Sequence, residues 1–260
     1  MVDLGLHSLN EMEQYKNIQI QELPSLTRTS SAAFFKYIRP CVAEMMATML
    51  FVFVDVCSIS DGQFAAFTHG FLLFVLVSAT ASVSGGHLNP AVTLAMTIVR
   101  AIPVVLAPLY VIAQLLGAII GAGLARAVMP SVDYDYVIGG VHKLGDHVKP
   151  GEGILAEAIA TSILVLAVLM VAFDENNKSV LGPLAIGLAV GGGIFAIGGI
   201  SGGSMNPARS FGPAVVRNSW EDHYVYWVGP IAGSLFSTIM YGLFLASPNG
   251  LWLPVYEPVN

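Results

Sequence analysis

Two asparagines, Asn89 and Asn206, each precede Pro-Ala and each close a short segment that opens with Ser-Gly-Gly. An Asn side-chain oxygen accepts a backbone N–H from the first turn of a helix. Pro suits the next position, where no N–H is needed. Asn89-Pro90-Ala91 and Asn206-Pro207-Ala208 are therefore predicted to start helices. In a soluble loop that would be the whole reading. At depth in a membrane it becomes chemistry. With the capping oxygen occupied, the amide N–H groups are free to face a gap, beside about half an elementary charge of positive potential at each helix end. Fixed donors of this kind hold the oxygen of a water molecule, repel cations and interrupt a proton-relaying water wire.

The segment Ser84–Thr93 recurs as Ser201–Ser210, at an offset of 117 residues, and Val92 of the first copy is replaced by Arg209 in the second. An intramembrane Arg is costly unless it faces a cavity, and by default it marks a solute path. Three residues past Asn206, Arg209 is expected about 4–5 Å from the helix start. His69, Ile194 and the carbonyl of Gly203 are expected at similar depth and complete one ring, the outer constriction. For His69 the plain alternative is a buried ring bonded to a neighbour. Glu44 and Glu157 stand at matching places in the two copies and are expected to accept hydrogen bonds from the backbone N–H groups of the Gly-rich loops. Asp55 lies eleven residues after Glu44, has Val168 as its counterpart, and is assigned no role beyond reaching interfacial water.

The elements that must position these residues are apolar spans. The chain is 55% hydrophobic and only 11% charged, against about 25% charged in soluble domains. Six stretches, 38–58, 63–83, 104–126, 153–173, 180–200 and 224–246, approach the ~20 residues that cross a bilayer. Two shorter ones, 89–99 and 206–216, reach half-way. Each follows a loop that membrane interiors tolerate only where it lines a cavity, so both read as re-entrant half-helices. Further repeat matches are Ala43-Glu44 with Ala156-Glu157, Gly70 with Gly187, and Tyr110 and Gly117 with Tyr226 and Gly233. Three spans per copy is an odd number, so the second copy is inverted, which puts the working site at the midplane. The predicted fold is an all-α membrane protein in an inverted 3+3 repeat. Its tail is 1–37, its channel domain 38–246 (repeats about 38–126 and 153–246), and its end segment 247–260.

Lys36 and Arg39 precede the first span and Asp61 follows it, which predicts cytosolic termini by the positive-inside rule. Arg100 and Lys178 then lie inside, Arg126, Lys143, Lys149 and Arg217 outside, and the sequon Asn177-Lys178-Ser179 faces the cytosol. The tail lacks a signal-peptide pattern and carries a possible phosphosite at Arg28-Thr29-Ser30. Cys41 and Cys57 stand roughly 24 Å apart along one helix, too far for a disulfide. A net charge of −6 without a basic patch excludes nucleic-acid binding. Catalytic and metal sites are not expected, because neither a nucleophile motif nor metal-ligand spacing occurs, and no cofactor is expected.

Two Asn-Pro-Ala boxes in inverted halves, with Arg209 after the second, resemble the aquaporin (major intrinsic protein) family over residues 36–246. That resemblance implies one pore per subunit, a homotetramer, and passive flow in either direction. The set His69, Ile194, Gly203 and Arg209 resembles the aquaporin-8 branch of the family and some plant vacuolar-membrane members. Water, ammonia and hydrogen peroxide are the permeants this implies, in a plasma or intracellular membrane. Glycerol-conducting members typically carry Asp where this chain has Ser210, and the branch often carries Cys where this chain has Ser204. A coupled secondary transporter would share inverted repeats but needs titratable or ion-coordinating groups at the midplane. A poorly conducting structural protein of the same fold is the other alternative.

Overall fold

The computed structural model describes residues 31–59 and 63–252. The Arg28-Thr29-Ser30 triplet and Asp61 lie outside the described residues. Ser31–Pro40 is helical with a π-helical turn at Phe34–Ile38. Within it Lys36 Nζ lies 5.2 Å from the Tyr37 ring centroid, a basic-aromatic pairing suited to a membrane–water interface.

The helices are α1 (Arg39–Ser58), α2 (Gln63–Ser84), α3 (Pro90–Ile98), α4 (Leu106–Val128), α5 (Ser131–Tyr136), α6 (Pro150–Ala167), α7 (Gly182–Ser201), α8 (Pro207–Arg217) and α9 (Val225–Met240). Both α6 and α9 run on into π-helical turns, Val168–Phe173 and Tyr241–Leu245. Among the described residues six helical stretches are long and apolar enough to cross a membrane: Ser31–Ser58, Phe64–Ser84, Leu106–Val128, Pro150–Phe173, Gly182–Ser201 and Val225–Leu245. The two remaining apolar helices, α3 and α8, have 9 and 11 residues, half-bilayer lengths at about 1.5 Å per residue. Strands are absent among the described residues. The molecule is thus six spans plus two re-entrant half-helices in an inverted repeat.

Each half-helix packs against the other half of the repeat. The α8 helix lies on α4, and α3 lies on α9. Gly212 of α8 meets the backbone of Ala118, and Ser234 of α9, the repeat counterpart of Ala118, donates from Oγ to Ala91 O of α3 at 2.6 Å. The long helices approach just as symmetrically. A Cβ on Gly117 would collide with the Met45 carbonyl of α1, and one on Gly233 would collide with the Ala158 carbonyl of α6. Met45 and Ala158 each directly follow one of the repeated glutamates. Without a hydrophobic drive between helices in lipid, small residues that let backbones touch supply the packing.

Residues 129–149 form the distal face, and the loop after α6 forms the opposite, proximal face. On the proximal face Asp174 collects the first residues of the end segment. Its carboxylate accepts from Ser247 N at 2.8 Å, Ser247 Oγ at 2.5 Å, Tyr241 Oη at 3.1 Å and Asn177 Nδ2 at 3.0 Å. Burial raises its pKa, but the bonds from Ser247, Tyr241 and Asn177 outweigh that and hold it at about 2.

Gly117→Val and Gly233→Val should each cost about 1–3 kcal/mol through overpacking, measured as a lower midpoint of thermal unfolding in detergent. Because the Asp174 pKa is depressed below the ordinary carboxyl value of about 3.9, its contribution is present above about pH 4 and lost as pH falls toward about 2. Amide exchange at Ser247 and Trp252 should accelerate on acidification across that window, and at neutral pH in Asp174→Ala.

Candidate functional site

Each Gly-rich loop is held by one buried carboxylate. Glu44 Oε1 accepts from Ser84 Oγ at 2.6 Å and His87 N at 2.9 Å, and its Oε2 accepts from Leu88 N at 2.7 Å. Glu157 repeats the pattern with Ser201 Oγ at 2.7 Å, Ser204 N at 2.9 Å and Met205 N at 2.6 Å. Both glutamates have no exposed surface. Glu44 alone receives a further bond, from Gln114 Nε2 at 2.8 Å; the position matching Gln114 is Pro230, which has no side-chain donor. The loops need such anchors because they are conformationally expensive. Leu88 and Met205 both sit in the left-handed region at φ 52°, a placement that costs a non-Gly residue about 1–2 kcal/mol.

The loops deliver Asn89 and Asn206 to a common junction. Asn89 Oδ1 caps α3 by accepting from Ala91 N at 2.8 Å, and Asn206 Oδ1 caps α8 by accepting from Ala208 N at 3.0 Å. The expectation that the amide N–H groups all face the gap needs correction. Asn89 Nδ2 donates to Met205 O at 2.8 Å, and Asn206 Nδ2 donates to Leu88 O at 2.8 Å. Each amide therefore spends one N–H on the opposing loop and keeps one. The reason is local: the left-handed turn at Leu88 and Met205 points a carbonyl at the other half, and a buried carbonyl needs a donor.

Two cavities flank the junction. The proximal one, about 530 Å³, is bordered by Asn89, Asn206, His87, Ser204 and apolar side chains including Phe51, Leu73, Val77 and Val190. The distal one, about 370 Å³, is bordered by His69, Ile194, Gly203 and Arg209, all four residues of the expected ring. The boundary runs between consecutive residues, Gly203 distal and Ser204 proximal. Gly203 is at φ 73°, and a Cβ there would press on Ile194 Cα at 3.0 Å.

Three residues join this site that the sequence reading did not place in it. Asp55 is fully buried rather than near interfacial water. Its Oδ1 lies against His69 Nε2 and its Oδ2 against Arg209 Nε. Its position on α1 therefore faces the filter, which a repeat comparison against Val168 does not reveal. The other two come from residues 129–149. Arg209 Nη1 donates to Gly140 O at 2.5 Å and lies 3.3 Å from His142 Nδ1. Burial, then the charge of Arg209, hold the His142 pKa well below its ordinary value. The neutral ring can accept at Nδ1, where Ser210 Oγ also lies at 2.8 Å. His69 Nδ1 meets Ala65 O and its Nε2 meets Asp55 Oδ1, both acceptors, and the one N–H of a neutral ring goes to one of them. The ring shows the cavity its surface rather than a free donor.

Comparison with known proteins adds an independent line. The family profile described as "Major intrinsic protein" matches residues 30–241. Aquaporin-8 of Notomys alexis is 38% identical over 217 residues, which span 81% of this chain and 83% of that protein. Aquaporin TIP4-4 of Zea mays is 42% identical over 233 residues, 84% of this chain and 91% of that one. The X-ray structure of the aquaglyceroporin from Plasmodium falciparum superposes with TM-score 0.66 at 24% identity, over 79% of this chain and 95% of its own, and shows the same fold.

Removing a loop anchor orphans two backbone N–H groups at once, each worth about 1–3 kcal/mol when left unpaired. Glu157→Ala should therefore lower the unfolding midpoint more than Glu44→Ala, because Gln114 Nε2 also reaches Thr93 Oγ1 at 2.9 Å and still ties the first loop's half-helix to α4. Parallel thermal melts of the two variants check this order.

Proposed function

We propose that this chain, which belongs to the major intrinsic protein (aquaporin) family, conducts ammonia and hydrogen peroxide as well as water. Membership makes it an integral multi-pass membrane channel for water and small solutes. The finer reading rests on one observation: the proximal cavity is bordered by an Asn pair in which each amide keeps one N–H, and the distal cavity is bordered by His69, Ile194, Gly203 and Arg209.

Each part has a role in that reading. Asn89 and Asn206 hold a permeant by its oxygen or nitrogen lone pair at the junction, where two half-helix N-termini repel cations. Pro90 and Pro207 start those helices, and Ala91 and Ala208, both fully buried, close-pack behind the caps. Ile194 and the side-chain-free Gly203 leave room at the distal constriction. Arg209 Nη2, without a protein partner among the described residues, donates to the solute. Glu44 and Glu157 hold the loops and take no part in transfer. Flow is passive, because the junction offers amides and carbonyls rather than a titratable group that could couple transport to an ion. The distal face is extracytoplasmic and both termini are cytosolic, following Lys36 and Arg39. Four copies assemble, one pore each, in a plasma or intracellular membrane, as the family resemblance implies.

Stopped-flow light scattering on proteoliposomes, comparing water, ammonia, hydrogen peroxide and glycerol in one preparation, tests the reading. The first three should cross faster than in protein-free vesicles and glycerol should not. Exclusion of ammonia and peroxide by a water-conducting preparation would overturn the solute range. Arg209→Val should raise the formamide-to-water flux ratio by widening the distal constriction. Ser204→Cys, at the proximal side of the junction, should introduce mercury block that reducing agent reverses.

A further inference from the structure

We propose that Asp55 is the positioning residue of the distal constriction: it anchors Arg209 through Nε and His69 through Nε2, and so sets the width that decides which neutral solutes pass. This rests on the channel reading above.

Asp55 is not part of the repeated architecture. Glu44 and Glu157 recur, and so do the glycines that let the helices touch, but the counterpart of Asp55 is Val168. The fold therefore does not need an acid here. A carboxylate inside a membrane domain is costly and marks function by default. This one has no exposed surface, and each oxygen meets a different helix, Oδ1 the ring of His69 on α2 and Oδ2 the guanidinium of Arg209 on α8.

The consequence follows from counting donors. A guanidinium has five N–H groups in a rigid fork. Nε is bound by Asp55, and Nη1 is turned to Gly140 O and His142 Nδ1. Two fixed points set the plane of the fork and draw it toward the wall formed by α1 and residues 140–142. Only Nη2 is left for a permeant. With Gly140 O alone, the fork could pivot about Nη1 and carry its bulk into the passage. His69 lies between Ala65 O on one side and Asp55 on the other, and its one N–H can be given to either. One acid thus meets two of the four residues of the ring.

Two measurements test this. Electron cryo-microscopy maps of the full chain in nanodiscs should show Arg209 and His69 both against Asp55 in the wild type. In Asp55→Asn the guanidinium should turn toward the pore axis. An Arg209 that keeps its place in Asp55→Asn would overturn the anchoring. In proteoliposomes, Asp55→Asn should lower the formamide-to-water flux ratio severalfold, and Asp55→Glu, which keeps the charge, should restore part of it. In an Arg209→Val background Asp55→Asn should move the ratio less than it does in the wild type, the remainder reporting its contact with His69, as a double-mutant cycle requires of coupled residues. An unchanged ratio in Asp55→Asn with water flux intact would overturn the role in selectivity. If the wild type passed no solute, the channel reading would fall, and the maps would still decide the anchoring. Should Asp55→Asn not fold, the double variant Asp55→Asn, Arg209→Val should fold, because it removes both charges together; failure of both variants would refute the pairing.

Discussion

Irregular backbone inside a bilayer must find partners in the protein wherever it does not line a cavity, and the two Gly-rich loops find them in the carboxylate that stands behind each. Glu44 and Glu157 satisfy consecutive backbone N–H groups and a serine hydroxyl in matching geometry. Everything at the junction descends from this. The anchored loops stabilise a left-handed residue in each half, that residue aims its carbonyl across the junction, and the opposing asparagine answers it. The asparagines are then held from two directions, by their own helix N-termini and by the other loop. An acid and an amide, neither of which reacts with anything, fix the donors to which a passing molecule is exposed.

The two constrictions are built on different principles. At the junction the groups are duplicated, neutral and supplied equally by both halves. At the distal constriction the charged groups are unpaired in the repeat. Arg209 replaces Val92, Asp55 replaces Val168, and Gly140 and His142 come from the connection between the halves. Duplication gives a site its frame, and departures from duplication give it chemistry. The guanidinium, the carboxylate and two imidazoles share a small buried volume. Each charged group there lowers the desolvation cost of the other, whereas either alone would carry a heavy penalty.

The distinction also explains what could be read from the residues alone. Asn-Pro is a local signal for a helix start, so both half-helices were legible, and comparing the two copies exposed Glu44 and Glu157 as partners of their loops. His69, Ile194, Gly203 and Arg209 do border one cavity. The route of each asparagine N–H was not legible, because it depends on a left-handed turn one residue before the cap in the other half. Asp55 escaped for the opposite reason: an acid on an apolar helix has no local pattern to declare which neighbour it meets. Gly140 and His142 lie between the repeats, where no second copy exists for comparison and where chain direction follows from packing rather than periodicity.

The exchange between Asn89 and Met205, and between Asn206 and Leu88, has a consequence for origins. Each half contributes one amide donor and one loop carbonyl, and each half-helix rests on the other half's last span. The seam between halves is therefore self-complementary, like the contact of a symmetric dimer. A half-length ancestor inserted into the membrane in both orientations would already hold every partner the seam requires. Fusion of two such genes would add only the connection, and with it the freedom for each copy to diverge at positions such as 55 and 209.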